Sequence, residues 1–225
     1  MTFIKPLAII FDFDGLILDT ETPELLVWQR CFAEAKGKFD LSGYRSIIGA
    51  WETCGYNPGA ELAKLLDHGV TAEELTRMVR QEAAQIIDQE PPMNGVRELI
   101  TAAKSRGIHL GVGSSSPQDW VFGHLSRLGL LENFQTVVTF DDVSASKPSP
   151  EIFLKVLESL GVFPERALVL EDSYNGVLAA NRAGIRVVAV PNQVTEGQDF
   201  SGAIEVIPTL DALNLDKYFP ELNEK

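Results

Sequence analysis

The stretch Ile9 to Glu21, IIFDFDGLILDTE, places two aspartates directly after an apolar run. The residues Ala8 to Phe11 have the composition of a strand that is buried on both faces, as in a parallel sheet. Asp12 and Asp14 would then stand at the end of this strand, where their carboxylates repel each other unless a cation or a proton intervenes. An acidic turn with no function would have the same local sequence, so the rest of the chain has to separate the two interpretations.

From about residue 96 onward the chain alternates between helical and strand patterns. The predicted elements are helix Val96 to Arg106, strand His109 to Gly113, helix Gln118 to Leu128, strand Thr136 to Thr139, helix Pro150 to Leu160, strand Ala167 to Leu170, helix Gly176 to Ala183 and strand Arg186 to Val190. This alternation is typical of a parallel sheet that is covered by helices on both faces, with right-handed crossovers. We therefore expect an α/β fold with a doubly wound parallel sheet.

The connection between the first strand and the second is far longer than an ordinary crossover, and its pattern is mostly helical. The pattern predicts helices over Pro23 to Ala35 and Gly59 to His68. A third helix is opened by the capping box TAEE at Thr71 to Glu74.

The length and helical pattern of this connection indicate a domain of its own. We expect residues 19–91 to form a helical cap domain, inserted between residues 1–18 and 92–225 of the catalytic core. The two connecting segments, 19–22 and 89–92, would act as hinges, because the proline pair in the second one favours an extended chain.

The composition is that of a globular chain, with 225 residues, 45% of them hydrophobic and 23% charged. A formal net charge of -13 argues against nucleic acid or an anionic membrane surface as the main partner.

The cysteines Cys31 and Cys54 have no CxxC spacing, which favours reduced thiols and a cytoplasmic location. No apolar run approaches the roughly 18 residues of a membrane span, and the N-terminus lacks a signal-peptide pattern. A monomer is compatible with this sequence, which leaves the oligomeric state open.

Polar residues follow four of the predicted strands, and open parallel sheets bind ligands beyond the carboxyl ends of their strands. They are Asp12 and Asp14 after the first strand, Ser114, Ser115 and Ser116 after the second, Lys147 after the third, and Glu171 and Asp172 after the fourth. Each group has an ordinary explanation by itself. A serine before Pro117 is typical of a helix start, which we expect for Ser115 and Ser116, and a lone lysine or acidic turn is usually solvated. Together, the four groups indicate a single crevice.

The residue types in this crevice would suit phosphoryl transfer. Several oxygen ligands without a Cys or His cluster indicate a hard divalent cation, with Mg²⁺ preferred over Ca²⁺. One carboxylate would remain to attack phosphorus, while Lys147 and the Ser114 hydroxyl would hold the phosphoryl oxygens.

The segments DFDGLILDTE, VGSSSP, SKPSPEIF and LEDSYNG resemble, in this order, the four motifs of the haloacid dehalogenase superfamily. Within it they are most similar to the β-phosphoglucomutase-like branch, which carries a helical cap after the first motif, and the resemblance extends over almost the whole chain. It implies a Rossmann-like core in which Asp12 is a nucleophile that forms an aspartyl-phosphate and Asp14 is a general acid and then a base. It also implies that Ser114 and Lys147 bind phosphate, and that Asp12, the Asp14 backbone carbonyl and Asp172 hold Mg²⁺, with Glu171 supporting or ligating.

The presence of Asp14 disfavours carbon–halogen cleavage, because the members that cleave such bonds lack this acid. Phosphatases and mutases share all four motifs, so the cap has to separate them. Compared with the mutases, this chain has Glu24 in place of a His and Glu52 close to the place of an Arg. A mutase must retain a sugar phosphate while it turns over, which favours a cationic cap contact. Four cap residues could supply this contact, although solvated helix faces are more typical of them: Arg45, Lys64, Arg77 and Arg80.

We therefore expect a Mg²⁺-dependent phosphatase that acts on a small phosphorylated metabolite, such as a sugar phosphate. The first alternative is a β-phosphoglucomutase-type sugar-phosphate mutase, and the second is a non-catalytic binding or regulatory protein with the same fold. Trp51 and Tyr56 either line the substrate opening or pack within the cap.

Overall fold

The computed structural model describes residues 7–49, 55–66 and 69–220, and a six-stranded parallel sheet lies at its centre. The strands in chain order are β1 (Ala8–Phe11), β2 (His109–Gly113), β3 (Thr136–Val138), β4 (Ala167–Glu171), β5 (Arg186–Ala189) and β6 (Glu205–Val206). They are arranged in the order β3-β2-β1-β4-β5-β6, and all neighbouring pairs are parallel. This confirms the predicted doubly wound parallel sheet. The central strand β1 pairs with β2 on one side and β4 on the other, so it lies where the strand order reverses, which is the usual ligand position in such sheets.

The helices pack on both faces of the sheet and in the long connection after β1. They are α1 (Glu21–Glu34), α2 (Leu41–Ile47), α3 (Pro58–Ala63), α4 (Ala72–Ile87), α5 (Val96–Ser105), α6 (Gln118–Arg127), α7 (Glu151–Leu160), α8 (Tyr174–Arg182) and α9 (Leu215–Tyr218).

The apolar run of β1 is continuous because each of its faces meets a separate hydrophobic core. Ile9 and Phe11 belong to the core that contains buried side chains of α5 and α6. Ala8 and Ile10 belong to the core that contains buried side chains of α7 and α8. Side chains alternate between the two faces of a strand, so a strand covered on both faces shows no polar alternation.

The connection between β1 and α5 contains α1 to α4. The predicted capping box of α4 is present, since Glu74 N donates to Thr71 Oγ1 at 3.2 Å and Thr71 N donates to Glu74 Oε2 at 2.9 Å. Helix α2 was not predicted. It begins after Asp40, whose carboxylate accepts a hydrogen bond from Gly43 N at 3.0 Å.

Some predictions for this connection differ from the structure or fall outside it. Helix α3 ends at Ala63, before the predicted end at His68. His68 itself lies outside the described residues, as do Trp51, Glu52 and Cys54.

The two segments that join the inserted helices to the core run side by side. Leu18 forms an antiparallel bridge with Pro92, and Met93 N donates to the Ile17 carbonyl at 2.9 Å. This pairing brings the two predicted hinge segments together. Across the described part of the chain, none of the helices combines the length and the apolar character that crossing a membrane requires.

Candidate active site

Lys147 lies buried beyond the carboxyl ends of the strands, between two carboxylates. Its Nζ donates to Asp12 Oδ1 and to Glu171 Oε1, the second at 2.6 Å. The ring of Phe153 faces the same nitrogen, with its centroid 4.9 Å away. The lysine side chain is only 1% exposed, so its charge is compensated by the two carboxylates and not by water. The structure therefore places Lys147 against the end of β1, although it follows β3 in the chain.

Three carboxylates converge at the same place. One oxygen each of Asp12, Glu171 and Asp172 lies within 4.8 Å of the others. Burial raises the pKa of Asp12 to about 8, and repulsion by Glu171 adds to the shift. Burial also raises the pKa of Asp172 above its usual range. A hard divalent cation would relieve this repulsion and would find only oxygen donors in the cluster, so these residues fit Mg²⁺.

Glu171 is held by the start of α8. Its Oε2 accepts hydrogen bonds from the backbone N of Asp172 at 3.1 Å, from Ser173 N at 3.2 Å and from Ser173 Oγ at 3.1 Å. Gly176 in the first turn of α8 allows this approach, because a Cβ at that position would lie 1.8 Å from the carboxyl carbon of Glu171. A glycine is therefore required where the helix meets the buried carboxylate.

Asp14 is surrounded by four hydrogen-bond donors. Its Oδ1 accepts from Thr20 Oγ1 and Trp120 Nε1, each at 2.9 Å. Its Oδ2 accepts from Ser116 Oγ at 2.6 Å and Ser114 Oγ at 3.2 Å. Asp14 and Ser114, which were both predicted as site residues, are thus in direct contact, while Thr20, Ser116 and Trp120 were not predicted as site residues.

The interpretation of Ser115 and Ser116 as helix-start residues is wrong. Pro117, and not a serine, is the N-cap residue of α6. No side-chain hydrogen bond caps the start of α6, and both serines line the cavity. Ser116 bonds to Asp14, and Ser115 Oγ donates to the Gly49 carbonyl at 3.2 Å.

Glu21 and Asn192 form a second polar layer beneath Asp172. Asn192 Nδ2 lies 2.8 Å from Glu21 Oε2, 2.8 Å from Asp172 Oδ2 and 3.2 Å from the Gly15 carbonyl oxygen. Gly15 has a φ of 75°, and a Cβ there would lie 2.5 Å from both Asn192 Nδ2 and Asp172 Oδ2. Asn192 follows β5, so extending the strand-end rule to the fifth strand would have found it. Trp120 lies within a helix and carries no such signal.

A cavity of about 340 Å³ separates these groups from the inserted helices. Asp12, Asp14, Lys147 and Trp120 line it from the core, and Glu24, Tyr44, Tyr56 and Arg80 line it from the other side. Arg80 is exposed, as expected for a solvated helix face, and it also lines the cavity. Tyr56 serves in both of the roles considered for it, since it lines the cavity and its ring packs against Gly43.

Glu24 places a carboxylate on the cap side of the cavity. Trp28 Nε1 donates to its Oε1 at 3.2 Å. Burial raises the pKa of Glu24, while attraction to Arg80 lowers it. The cap side of the cavity therefore combines an acidic and a basic side chain.

The end of α2 docks onto the core beside the cavity. Arg45 Nε donates to the Val194 carbonyl at 2.6 Å, which corrects the expectation of a solvated Arg45. Gln198 Nε2 donates to the Arg45 carbonyl at 2.8 Å, and Asn175 Nδ2 donates to the Ile48 carbonyl at 2.8 Å. These contacts cover one side of the crevice.

The fold and the sequence have clear relatives. A family model of haloacid dehalogenase-like hydrolases matches residues 9–190. The YhcW protein of Bacillus subtilis (strain 168) is 41% identical over 213 residues, which are 93% of this chain and 96% of that protein. The phosphorylated carbohydrates phosphatase of Thermotoga maritima is 35% identical over 215 residues, which are 93% of this chain and 98% of that protein. The crystal structure of β-phosphoglucomutase from Clostridium difficile shares the fold with a TM-score of 0.73 at 24% identity, covering 97% of this chain and 98% of that one. The chain therefore belongs to the haloacid dehalogenase-like hydrolases, and it shares its fold with β-phosphoglucomutase.

Proposed function

We propose that this protein is a Mg²⁺-dependent phosphatase that hydrolyses a small sugar or polyol phosphate through an aspartyl-phosphate on Asp12. The observation that carries the proposal is the pairing of Asp12 with the buried Lys147, in the same cavity as the donor-rich site of Asp14. Membership of a hydrolase family sets aside the non-catalytic alternative. The carbohydrate phosphatase among the relatives supports the substrate class.

Mg²⁺ would be held by Asp12, Asp172 and the backbone carbonyl of Asp14, with Glu171 supporting or ligating. The convergence of three carboxylates and the raised pKa of Asp12 support this assignment. Bound there, the ion would offset the negative charge of the phosphoryl oxygens.

In the first step, a carboxylate oxygen of Asp12 attacks phosphorus, and the bond from phosphorus to the substrate oxygen breaks. Asp14 gives its proton to the departing oxygen, which leaves as an alcohol. Lys147 and the Ser114 hydroxyl hold the phosphoryl oxygens during this transfer, because both are buried at the crevice and both are donors.

In the second step, water attacks the phosphorus of phospho-Asp12. The Asp14 carboxylate takes the proton of this water, and the bond from phosphorus to the Asp12 oxygen breaks. Inorganic phosphate leaves, and Asp12 is restored. Asp12 and Asp14 thus have different roles, Asp12 as the nucleophile and Asp14 as the proton carrier.

The cap side of the cavity would select the substrate. Glu24, the Tyr44 hydroxyl and Arg80 offer acceptors and donors that suit the hydroxyl groups of a sugar or polyol. Burial raises the pKa of Tyr44, and the nearby Glu24 adds to this shift while Arg80 opposes it. We propose that these residues belong to a cap domain, residues 19–91, while residues 1–18 and 92–225 form the catalytic core.

One observation favours the mutase alternative. Arg80 lines the cavity, where a mutase would need a cation for the second phosphate of its intermediate. The Glu24 carboxylate on the same side would repel that phosphate, so we prefer hydrolysis. The cytoplasmic location and the absence of nucleic-acid and membrane partners stay predictions from composition.

A panel of phosphorylated sugars, polyols and glycerol phosphate tests the proposal. We expect phosphate release that stops with a chelator and returns with Mg²⁺, and that is absent in Asp12→Asn. Equal release with and without metal would contradict the metal assignment, and full activity of Asp12→Asn would contradict the aspartyl-phosphate route.

A further inference from the structure

Trp120 lies beside Asp14 and packs against a neighbouring ring. Its indole lies on α6, edge-on to the ring of His124, with centroids 4.3 Å apart and planes at 77°. The His124 ring in turn stacks on Phe13, at 6.3 Å and 27°. Phe13, which lies between Asp12 and Asp14 in the sequence, is fully buried. The indole N–H is therefore oriented by packing before it meets Asp14 Oδ1 at 2.9 Å.

The four donors around Asp14 are not equivalent. A carboxylate has about four lone-pair sites, and here each oxygen accepts two hydrogen bonds. Three of the donors are hydroxyl groups, which can rotate and accept a hydrogen bond instead. The indole N–H can only donate, so Oδ1 always faces a donor at Trp120.

This difference separates the two oxygens of Asp14. On Oδ1, only the Thr20 hydroxyl could accept a proton, because the Trp120 N–H can only donate. A proton on Oδ2 faces the hydroxyls of Ser114 and Ser116, which can turn and accept. Ser114 is also the proposed phosphate-binding hydroxyl, so Oδ2 is the oxygen on the side of the reacting phosphate.

We propose that Trp120 is a positioning residue that holds Asp14 by Oδ1 and thereby directs Oδ2 to the reacting oxygen. This inference rests on the proposed function, because it takes Asp14 as the group that exchanges a proton with the leaving group and with water. Trp120 itself does not take part in the transfer.

The test compares kcat/KM of Trp120→Phe for an alkyl phosphate and for nitrophenyl phosphate. Only the alkyl leaving group needs a proton, and kcat/KM reports the steps up to release of that group. We expect kcat/KM for the alkyl phosphate to fall about tenfold or more, which corresponds to the loss of one hydrogen bond to a charged group. The fall in kcat/KM for nitrophenyl phosphate should be much smaller. In an Asp14→Asn background, Trp120→Phe should cause no further selective loss, since the proton-carrying carboxyl group that Trp120 orients is gone.

Trp28→Phe is the matched control, because its indole N–H donates to Glu24 near the same cavity and not to Asp14. The fall in kcat/KM caused by Trp28→Phe should be equal for both substrates. The same fall should be seen in the Asp14→Asn background. If Trp120→Phe does not fold, as judged by thermal unfolding, benzothienylalanine at position 120 retains the shape of the indole without the N–H. The same substrate selectivity is then expected.

Equal losses for both substrates, or an undiminished loss in the Asp14→Asn background, would overturn the role of Trp120 while the proposed function stands. Parent activity of Asp14→Asn on the alkyl phosphate would instead overturn the proton-carrier role of Asp14, and the inference with it.

Discussion

Lys147 forms a buried salt bridge with Asp12 across 135 residues of chain. The bridge joins the loop after β3 to the end of β1, so it exists only when the parallel sheet is assembled. The lysine is also bonded to Glu171, which makes it the positive centre of an otherwise acidic cluster.

Lys147→Met should lower the free energy of unfolding by about 3 kcal/mol, because removal of one partner leaves buried carboxylates without compensation. Phosphatase activity should be lost as well. Denaturant unfolding measures the first effect. Lys147→Arg is the control, since it retains the positive charge and should recover part of the stability. Its guanidinium group is larger than the ammonium group of lysine, so activity should not be restored. A Met variant as stable as the parent would contradict the structural role of the bridge.

Gly176→Ala should destabilise the protein and weaken Mg²⁺ binding, because the added Cβ would overlap the Glu171 carboxyl group. Gly123→Ala is the matched control within α6, where a Cβ meets nothing within 4 Å. That substitution should stabilise the protein by about 0.5–1 kcal/mol through helix propensity. Thermal unfolding with and without Mg²⁺ separates the two variants. A stabilising effect of Gly176→Ala would show that the helix start can move away from Glu171.

The stability of the metal-free protein should fall as the pH rises toward about 8. The pKa of Asp12 is raised from 3.8 to about 8 by burial, so the folded state binds a proton there that the unfolded state has released. The stability that this proton contributes is fully present below pH 3.8, the ordinary pKa of the group. It declines as the pH rises and is lost above the pKa of about 8 in the folded protein. Saturating Mg²⁺ should reduce the decline, since a bound cation displaces the proton. Thermal unfolding from pH 5 to 9 of the parent and of Asp12→Asn checks the sign, and identical slopes for the two proteins would contradict it.

Asp14→Asn should show a burst with nitrophenyl phosphate of about one equivalent per active site, followed by a slow steady state. The nucleophile is intact and the leaving group needs no proton, but the base for the second step is missing. Rapid mixing with intact-mass detection of the phospho-enzyme measures this. Asp12→Asn, the control, should give no burst. Rapid steady turnover of Asp14→Asn without accumulation of phospho-enzyme would show that another group serves as the base.

β-Glucose 1-phosphate with a trace of the 1,6-bisphosphate should yield free phosphate and not glucose 6-phosphate. The reason is the Glu24 carboxylate in the cavity, which disfavours retention of a bisphosphate. Coupled assays for the two products decide the outcome. Faster appearance of glucose 6-phosphate would favour the mutase and would assign Arg80 to its second phosphate.

The sequence by itself determined the sheet, most of its helices and the positions of the principal polar groups. A strand such as β1 can be predicted from the sequence because burial on both faces requires a continuous apolar run. The residues at the strand ends could also be predicted to lie together, since parallel strands bring their carboxyl ends to one edge of the sheet whatever the details of packing. Asp12, Asp14, Ser114, Lys147, Glu171 and Asp172 were found in this way, and the structure brings all of them together.

Only the tertiary structure decided what surrounds these groups. Trp120 reaches Asp14 because the turn at Pro117 fixes the direction of α6, and nothing in a helical pattern records where an indole N–H will point. Arg80 and Glu24 meet the cavity because α1 packs on α4, so their surroundings depend on contacts between distant segments. Periodicity predicts which residues are buried, because burial follows the spacing of one element. The partner of each polar side chain is set by the relative placement of several elements, and the spacing within any one of them carries no information about it.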